Sequence, residues 1–278
     1  MPTIPPQPTP LPGNEPHRAR ETAESFGSDA ERYDRARPSY PQALVDRIVA
    51  ASPGRDFLDV GCGTGISSRL FQAAGCRVLG VDPDARMAGL ARLHGVKAEV
   101  ARFEDWDPLG RAFDAVVAGM TWHWVDPVAG AAKAAQVLRP GGRLAVFWNA
   151  FEPPSDLGEA FAAAYRRVLP DGPLSRQRQG RMPGIDDYAR GMCGRAVDGM
   201  REAGGFGEPE QWRFDWDRFY TRDEWLDVVP TFGGTSQFPP GTLGELLACI
   251  GAAVDAAGGG FTMRYVTVAV TAPRTGTA

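Results

Sequence analysis

Phe57-Leu58-Asp59-Val60-Gly61-Cys62-Gly63-Thr64-Gly65 decides the fold of this 278-residue chain. An apolar run with one acid near its end meets a glycine-rich turn, and a helix begins near Ile66. A second apolar run, Arg77-Val78-Leu79-Gly80-Val81, ends on Asp82, seventeen residues after Gly65. Two strands joined in this way hold a nucleoside-bearing ligand at their C-terminal ends. Glycines let the backbone approach the ligand, and the carboxylate closing the second strand can accept from both ribose hydroxyls. The spacing narrows the choice of ligand. A dinucleotide turn needs Gly or Ala three positions beyond its second glycine, where this chain has Ile66. Asp59, two positions before Gly61, would repel a pyrophosphate in a partly dehydrated site and suits a cationic ligand instead.

Working outward, the chain alternates strand and helix. Strands are expected at 56–61, 77–82, 96–101, 113–119 and 142–149, and helices at 65–74, 84–94 and 127–138. Arg139-Pro140-Gly141-Gly142 reads as a stop and turn before the fifth strand. Short connections in such an alternation mean a parallel sheet with helices on both faces. Upstream, Glu21 to Arg35 looks helical until Pro38 and Pro41, and Leu44, Val45, Ile48 and Val49 recur at helical spacing. Beyond Asn149 the rhythm changes. Roughly sixty residues precede the next strand-like segment, Gln211 to Tyr220, far above the usual crossover length. That insertion carries helical patterns at Leu157 to Val168 and Ile185 to Ala203. A further helix is expected from Thr242 to Ala257 and a last strand from Phe261 to Val270.

Composition sets outer limits. Hydrophobic residues make up 43% of the chain, enough for a sizeable core, and the net charge of -4 argues against a broad basic face for nucleic acid. Residues 1–16 hold seven prolines and no apolar run, so residues 1–20 read as a disordered tail and not a signal peptide. No apolar stretch approaches the length of a membrane span. Cys62, Cys76, Cys193 and Cys249 form no C-x-x-C pair, which suggests reduced thiols in a cytoplasmic protein. His17, His94 and His123 are separated from the cysteines and from one another, so no metal site is expected.

The Asp-x-Gly-x-Gly-x-Gly turn resembles motif I of the class I S-adenosylmethionine-dependent methyltransferases, whose cofactor carries an ammonium and a sulfonium. Other segments are similar to the same family. Tyr33-Asp34-Arg35-Ala36-Arg37-Pro38-Ser39-Tyr40-Pro41 resembles a Tyr-Asp-x-x-Arg-Pro-x-Tyr-Pro lead-in found in one subgroup, which includes the trans-aconitate methyltransferase-like enzymes. Phe103-Glu104-Asp105 resembles the element after the third strand whose backbone meets the adenine. Phe113 to Gly119, continuing to Trp122-His123-Trp124, resembles motif IV, and Val137 to Leu144 resembles the turn into the fifth strand. Gly259 to Tyr265 matches the subgroup's ending. The resemblance implies a Rossmann-like, seven-stranded, mostly parallel α/β sheet under an inserted helical cover. One domain would then run over 21–278: a core at 42–150, cover within 151–210 and 222–258, and sheet-edge strands near 211–220 and 261–270.

It also implies roles. Asp59 would serve the cofactor's ammonium, with capping of the glycine turn as the plainer alternative. Gly61, Cys62, Gly63, Thr64 and Gly65 would cradle the cofactor. Asp82 would take the ribose diol, with Pro83 beside it in the cofactor site; the plainer reading of Asp82 is an ordinary N-cap of a helix starting at Pro83. Met87, Phe103, Glu104 and Gly119 would complete the cofactor site, with the Phe103 ring packed on the adenine and core packing as the plainer reading of Met87. Tyr33, Arg37 and Tyr40 lie on the segment that closes over the cofactor in related enzymes, Tyr40 towards the acceptor. Trp122, His123 and Trp124 follow the fourth strand at the same sheet edge. His123 is the candidate catalytic residue, as a base or a substrate orienter, against the bland reading of an aromatic pocket floor. Arg176, Arg178 and Arg181 are either a solvated face or an anion-recognising rim.

The expected reaction is in-line methyl transfer to a small organic acceptor, most plausibly O-methylation of a carboxylate or hydroxyl. N- or C-methylation of a secondary metabolite, and a protein that uses the cofactor structurally, are the alternatives. A nicotinamide-dependent oxidoreductase is disfavoured by Ile66 and Asp59. A monomer or homodimer, without nucleic acid or membrane, is the expected assembly.

Overall fold

A computed structural model describes residues 25–170, 185–233, 235 and 238–276. Seven strands form one sheet: β1 Asp56–Val60, β2 Arg77–Asp82, β3 Lys97–Val100, β4 Phe113–Gly119, β5 Leu138–Glu152, β6 Glu210–Thr221 and β7 Gly260–Pro273. Their order is β3-β2-β1-β4-β5-β7-β6. β1 to β5 pair in parallel, and β7 runs antiparallel to both β5 and β6. β1 and β4 are buried along almost their whole length because both faces of the sheet are covered there. From β1 the chain steps outward to β2 and β3, then crosses back to β4. The sheet order therefore reverses between β1 and β4, and their C-terminal ends open the crevice where ligands bind in such sheets.

The described helices are α1 Ala30–Ala36, α2 Gln42–Ala50, α3 Ile66–Ala73, α4 Ala85–Leu93, α5 Pro127–Val137, α6 Ser155–Val168, α7 Ile185–Ala203, α8 Arg222–Val228 and α9 Thr242–Ala256. Leu44, Val45 and Ile48 of α2 pack with Phe57, Phe71 and Phe147 on one face. Ala131 and Ala134 of α5 and Cys193, Ala196 and Met200 of α7 cover the other. A third cluster joins α6, α8 and α9 to the β6–β7 hairpin around Trp225, Phe261 and Tyr265, and this is the helical cover over the strand ends.

Three local expectations need correction. β5 starts at Leu138, not after the Arg139–Gly142 stretch. The register jumps from Phe113↔Leu138 to Ala115↔Arg143, and Gly141 at φ 73° lets the extra residues bulge within the strand. α8 falls within the expected cover, and Thr221 and Glu224 form a full capping box at its start. The lead-in helix is shorter than expected: a 3-10 turn over Ser25–Asp29 precedes α1, and the Asp29 carboxylate accepts from the Arg32 N–H. At the start of α4 the N-cap is Asp84, which accepts from Arg86 N–H, and not Asp82. The expected tail at 1–20 and the arginines at 176, 178 and 181 lie outside the described residues.

Candidate active site

The glycine turn is folded back on the end of β2. The N–H groups of Gly61 and Cys62 donate to the Val81 carbonyl at 2.7 and 3.2 Å. The Gly63 N–H donates to Asp82 Oδ2 at 2.8 Å, and the Asp84 N–H donates to Asp82 Oδ1 at 2.9 Å. Asp82 thus locks the turn to the second strand while each oxygen keeps a lone pair for a ligand. Burial pushes its carboxyl up to about 6, against the pull of those two N–H donors, and the nearby charges of Asp84 and Asp59 add to the rise.

Asp59 is fully buried at the end of β1. Its Oδ2 accepts from the Ser67 and Ser68 hydroxyls, each at 2.6 Å, in the first turn of α3. This is the turn-capping role, and it accounts for one oxygen only. Oδ1 is buried with no hydrogen-bond partner. Burial lifts this carboxyl too, up to about 6, although the serine hydroxyls oppose the rise. A buried acceptor without a donor is costly, so the site is built for a further donor or a positive charge beside the turn.

The lead-in segment closes one side. Arg37 Nη2 donates to the Thr231 carbonyl at 2.5 Å, and the guanidinium lies over the rings of Tyr33 and Phe232 at 5.0 and 5.1 Å. Its Nε is buried without a partner. Arg32 and Arg35 of α1 pair with Asp227 of α8 at 3.1 and 2.8 Å, while Arg69 joins Asp34 to the Thr64 carbonyl at 2.8 Å each. Tyr40 lies edge-on to Phe147, centroids 4.8 Å apart, and a Cβ on Gly119 would stand 2.6 Å from the Tyr40 hydroxyl oxygen. Gly119 therefore makes room for Tyr40. Burial, with Tyr33 and Asp59 nearby, raises the Tyr40 hydroxyl well above its ordinary range. A small cavity, partly open to solvent, is lined by Tyr33, Arg37, Tyr40, Ile66, Met120, Asn149, Phe151, Phe232 and Tyr265, among others.

On the adenosine side, Met87 is buried with its methyl 3.4 Å from the place of a Cβ on Gly63. Pro83 is exposed. Cys62 turns its thiol behind the turn, into a cluster with Ala88, Ala91, Val96 and Ala98, so only its backbone faces the ligand side. Phe103 is buried against Trp122, centroids 6.2 Å apart. Glu104 Oε1 accepts the Asp126 N–H at 3.2 Å.

Trp122-His123-Trp124 forms a single 3-10 turn in which the His123 and Trp124 rings pack together, centroids 4.8 Å apart, while Trp122 turns away from them. Trp122 is buried in the core. Trp124 packs edge-on to Phe26, centroids 6.2 Å apart. His123 Nδ1 accepts the Trp148 indole N–H at 3.2 Å, which leaves the ring proton on Nε2. Burial and the charge of Arg195 hold the imidazole down to about 4. Both facts argue against His123 as a base at neutral pH and leave it a neutral N–H donor.

Sequence reasoning missed Ser67, Ser68, Met120, Asn149 and Phe232. The two serines were accessible, since hydroxyls in the first turn after a glycine-rich loop face the strand-end acid. Met120 carried no such signal: its φ of 55° is the left-handed region, unusual for a residue with a Cβ, and it sits at the end of β4 where the cavity begins. Among the described residues no group of three or more His, Cys, Asp or Glu is placed to hold a metal ion, and no helix is long and apolar enough to cross a membrane.

An α/β sheet of this order with a glycine turn between two strand-end acids is the class I methyltransferase fold. Residues 33–179, more than half of the chain, match the family described as "Methyltransferase domain", and the chain belongs to that family. An uncharacterized methyltransferase of Mycobacterium tuberculosis is 40% identical over 133 residues, 47% of this chain and 54% of that relative. The chain thus spans about half the length of that protein. A malonyl-[acyl-carrier protein] O-methyltransferase of Enterobacter lignolyticus is 32% identical over 161 residues, 52% of this chain and 62% of the relative. The structure of a putative type II methyltransferase from Anaeromyxobacter dehalogenans superposes with a TM-score of 0.62 at 21% identity, covering 87% of this chain and 99% of the other, and so shares the fold.

Proposed function

We propose that this protein transfers a methyl group from S-adenosylmethionine to an oxygen of a small organic acid. One observation carries the reading: two buried carboxylates flank a glycine turn at the sheet's switch point, Asp59 with an unpartnered Oδ1 and Asp82 braced by two N–H donors. These groups fit the donor's chemistry. Asp82 takes the ribose diol, Asp59 supplies negative charge under the ammonium, and Arg37, with a buried unpartnered Nε, takes the carboxylate at the other end. Bound there, S-adenosylmethionine supplies a methyl group already activated on a sulfonium. The chain's own task is to align an acceptor and to exclude water, which the lead-in segment and α8 do by closing over the cavity.

A carboxylate acceptor follows from the acid–base inventory. The described residues lining the cavity offer tyrosines, an asparagine and one arginine but no carboxylate or imidazole, and His123 is held near 4. An acceptor that is ionised at neutral pH needs no base. The name of the malonyl relative, an O-methyltransferase, agrees with this choice. His123 is not among the residues lining that cavity, and its role is to support the pocket from behind by accepting the Trp148 indole N–H. His123→Ala is expected to lower turnover while leaving donor affinity within about twofold, and the wild-type rate should show no histidine inflection between roughly pH 6 and 8. A kcat profile with a clear ascending limb near pH 6.5, lost in His123→Ala, would restore the base role.

Donor binding itself has a pH dependence of known sign. Asp59 and Asp82 are both lifted to about 6, so below that pH they hold protons that must leave before a cation and a ribose diol are accommodated. Affinity is expected to rise from pH 5 to 7, by up to about tenfold per unit for one titrating group, and to level off above roughly pH 7. Calorimetry across that range checks it; affinity that falls as pH rises contradicts the assignment. The acceptor class is tested with methyl-labelled donor against carboxylic acids, phenols and amines. Product from carboxylic acids supports the proposal, and product from amines alone refutes O-methylation.

A further inference from the structure

Asn149 lies at the meeting point of three segments that shape the cavity. It sits on β5 directly opposite Thr267 of β7, which itself faces Phe214 of β6. Asn149 is 4% exposed and Thr267 is fully buried. The Trp216 indole N–H donates to Thr267 Oγ1 at 2.8 Å, the Thr267 hydroxyl donates to Asn149 Oδ1 at 2.7 Å, and Asn149 Nδ2 donates to the Ser39 carbonyl at 3.0 Å. The Asn149 backbone N–H meets Met120 Sδ at 3.1 Å.

The direction of this chain is fixed at the Ser39 end. A carbonyl oxygen can only accept, so Nδ2 must face Ser39 and Oδ1 turns to Thr267. The Thr267 hydroxyl then donates to Oδ1 and still has a lone pair for the Trp216 indole N–H. Pro38 and Pro41 have no N–H to give, so the segment is held largely by side chains: Asn149 on the Ser39 carbonyl, Arg37 on the Thr231 carbonyl and Tyr40 against Phe147. That segment carries Arg37 and Tyr40 to the cavity wall.

We propose that Asn149 is a positioning residue: its side-chain amide, aimed by Trp216 and Thr267, latches the 37–41 segment onto the sheet and so sets Arg37 and Tyr40 against the donor and acceptor. The inference rests on the functional reading above only for what Arg37 and Tyr40 meet; the latch is a property of the chain itself.

The test is amide hydrogen exchange on the full chain, with donor calorimetry beside it. Asn149→Asp places an acceptor where the Ser39 carbonyl needs a donor. The amides of Arg37 and Leu44, bonded to the Tyr33 and Pro41 carbonyls, are expected to exchange about tenfold faster than in wild type, the scale of a lost buried hydrogen bond. Amides of β3 and α4 should stay within about twofold, and donor affinity should fall by about tenfold. Thr267→Val, which removes only the hydroxyl that aims the amide, should give the same local pattern at smaller amplitude, and it serves if Asn149→Asp does not fold. Exchange at Arg37 and Leu44 unchanged in a folded variant overturns the latch. Acceleration spread evenly over the sheet also overturns it, since a general loss of stability would do that. If exchange changes locally but wild-type protein binds no donor, the latch stands and the donor reading fails.

Discussion

Asp82→Ala is expected to weaken S-adenosylmethionine binding by roughly ten- to a hundredfold in titration calorimetry, the range for losing a charge-assisted hydrogen bond at a buried site. Two losses combine. The ribose diol loses its acceptor, and the Gly63 and Asp84 N–H groups lose the carboxylate that holds the turn against β2. Asp82→Asn separates them. The amide keeps one acceptor for a backbone N–H but presents an N–H₂ to the other, so it should recover part of the stability and little of the affinity. Unchanged affinity in Asp82→Ala would remove this residue from the site.

Gly61→Ala should have the larger effect on the fold. A Cβ on Gly61 would stand 2.0 Å from Thr121 Oγ1 and 2.7 Å from Thr121 Cβ, and the φ of 61° is unfavourable for any residue with a Cβ. Something must move, and the neighbour is the end of β4, the other wall of the switch-point crevice. Donor binding should disappear from calorimetry, and Tm should fall by roughly 5–10 °C, as a destabilisation of about 2–4 kcal/mol implies for a chain of this size. Gly75→Ala is the control. Its φ of 84° carries the same backbone cost, but nothing stands within 4 Å of the new methyl. It should lose about 1 kcal/mol and leave donor affinity untouched. Equal binding losses in both variants would mean that backbone strain, and not the contact with Thr121, disables the site.

Much of the architecture was legible because local rules and tertiary context agree. β1, β2 and β4 are apolar runs bounded by strong punctuation, and their observed limits fall within a residue of those expected. β5 departed because Pro140, Gly141 and Gly142 signal a break locally, while pairing with β4 and β7 carries the strand through as a bulge. The candidate site was readable as far as it is encoded by the glycine turn and the acids beside it. What escaped is tertiary. That Trp122 turns into the core while His123 and Trp124 pack together is decided by Phe103, Trp148 and Phe26, which are distant in sequence. Asn149 had no motif to mark it, since its importance comes from Thr267 and Ser39 arriving from opposite ends of the chain.

The most direct test is titration calorimetry of the full chain with S-adenosylmethionine at pH 7.5, followed by S-adenosylhomocysteine. The arrangement of Asp59, Asp82 and Arg37 around the glycine turn predicts one site per chain with micromolar affinity for both ligands. No heat of binding from either, with the protein folded and Asp82 intact, would contradict the account at its centre.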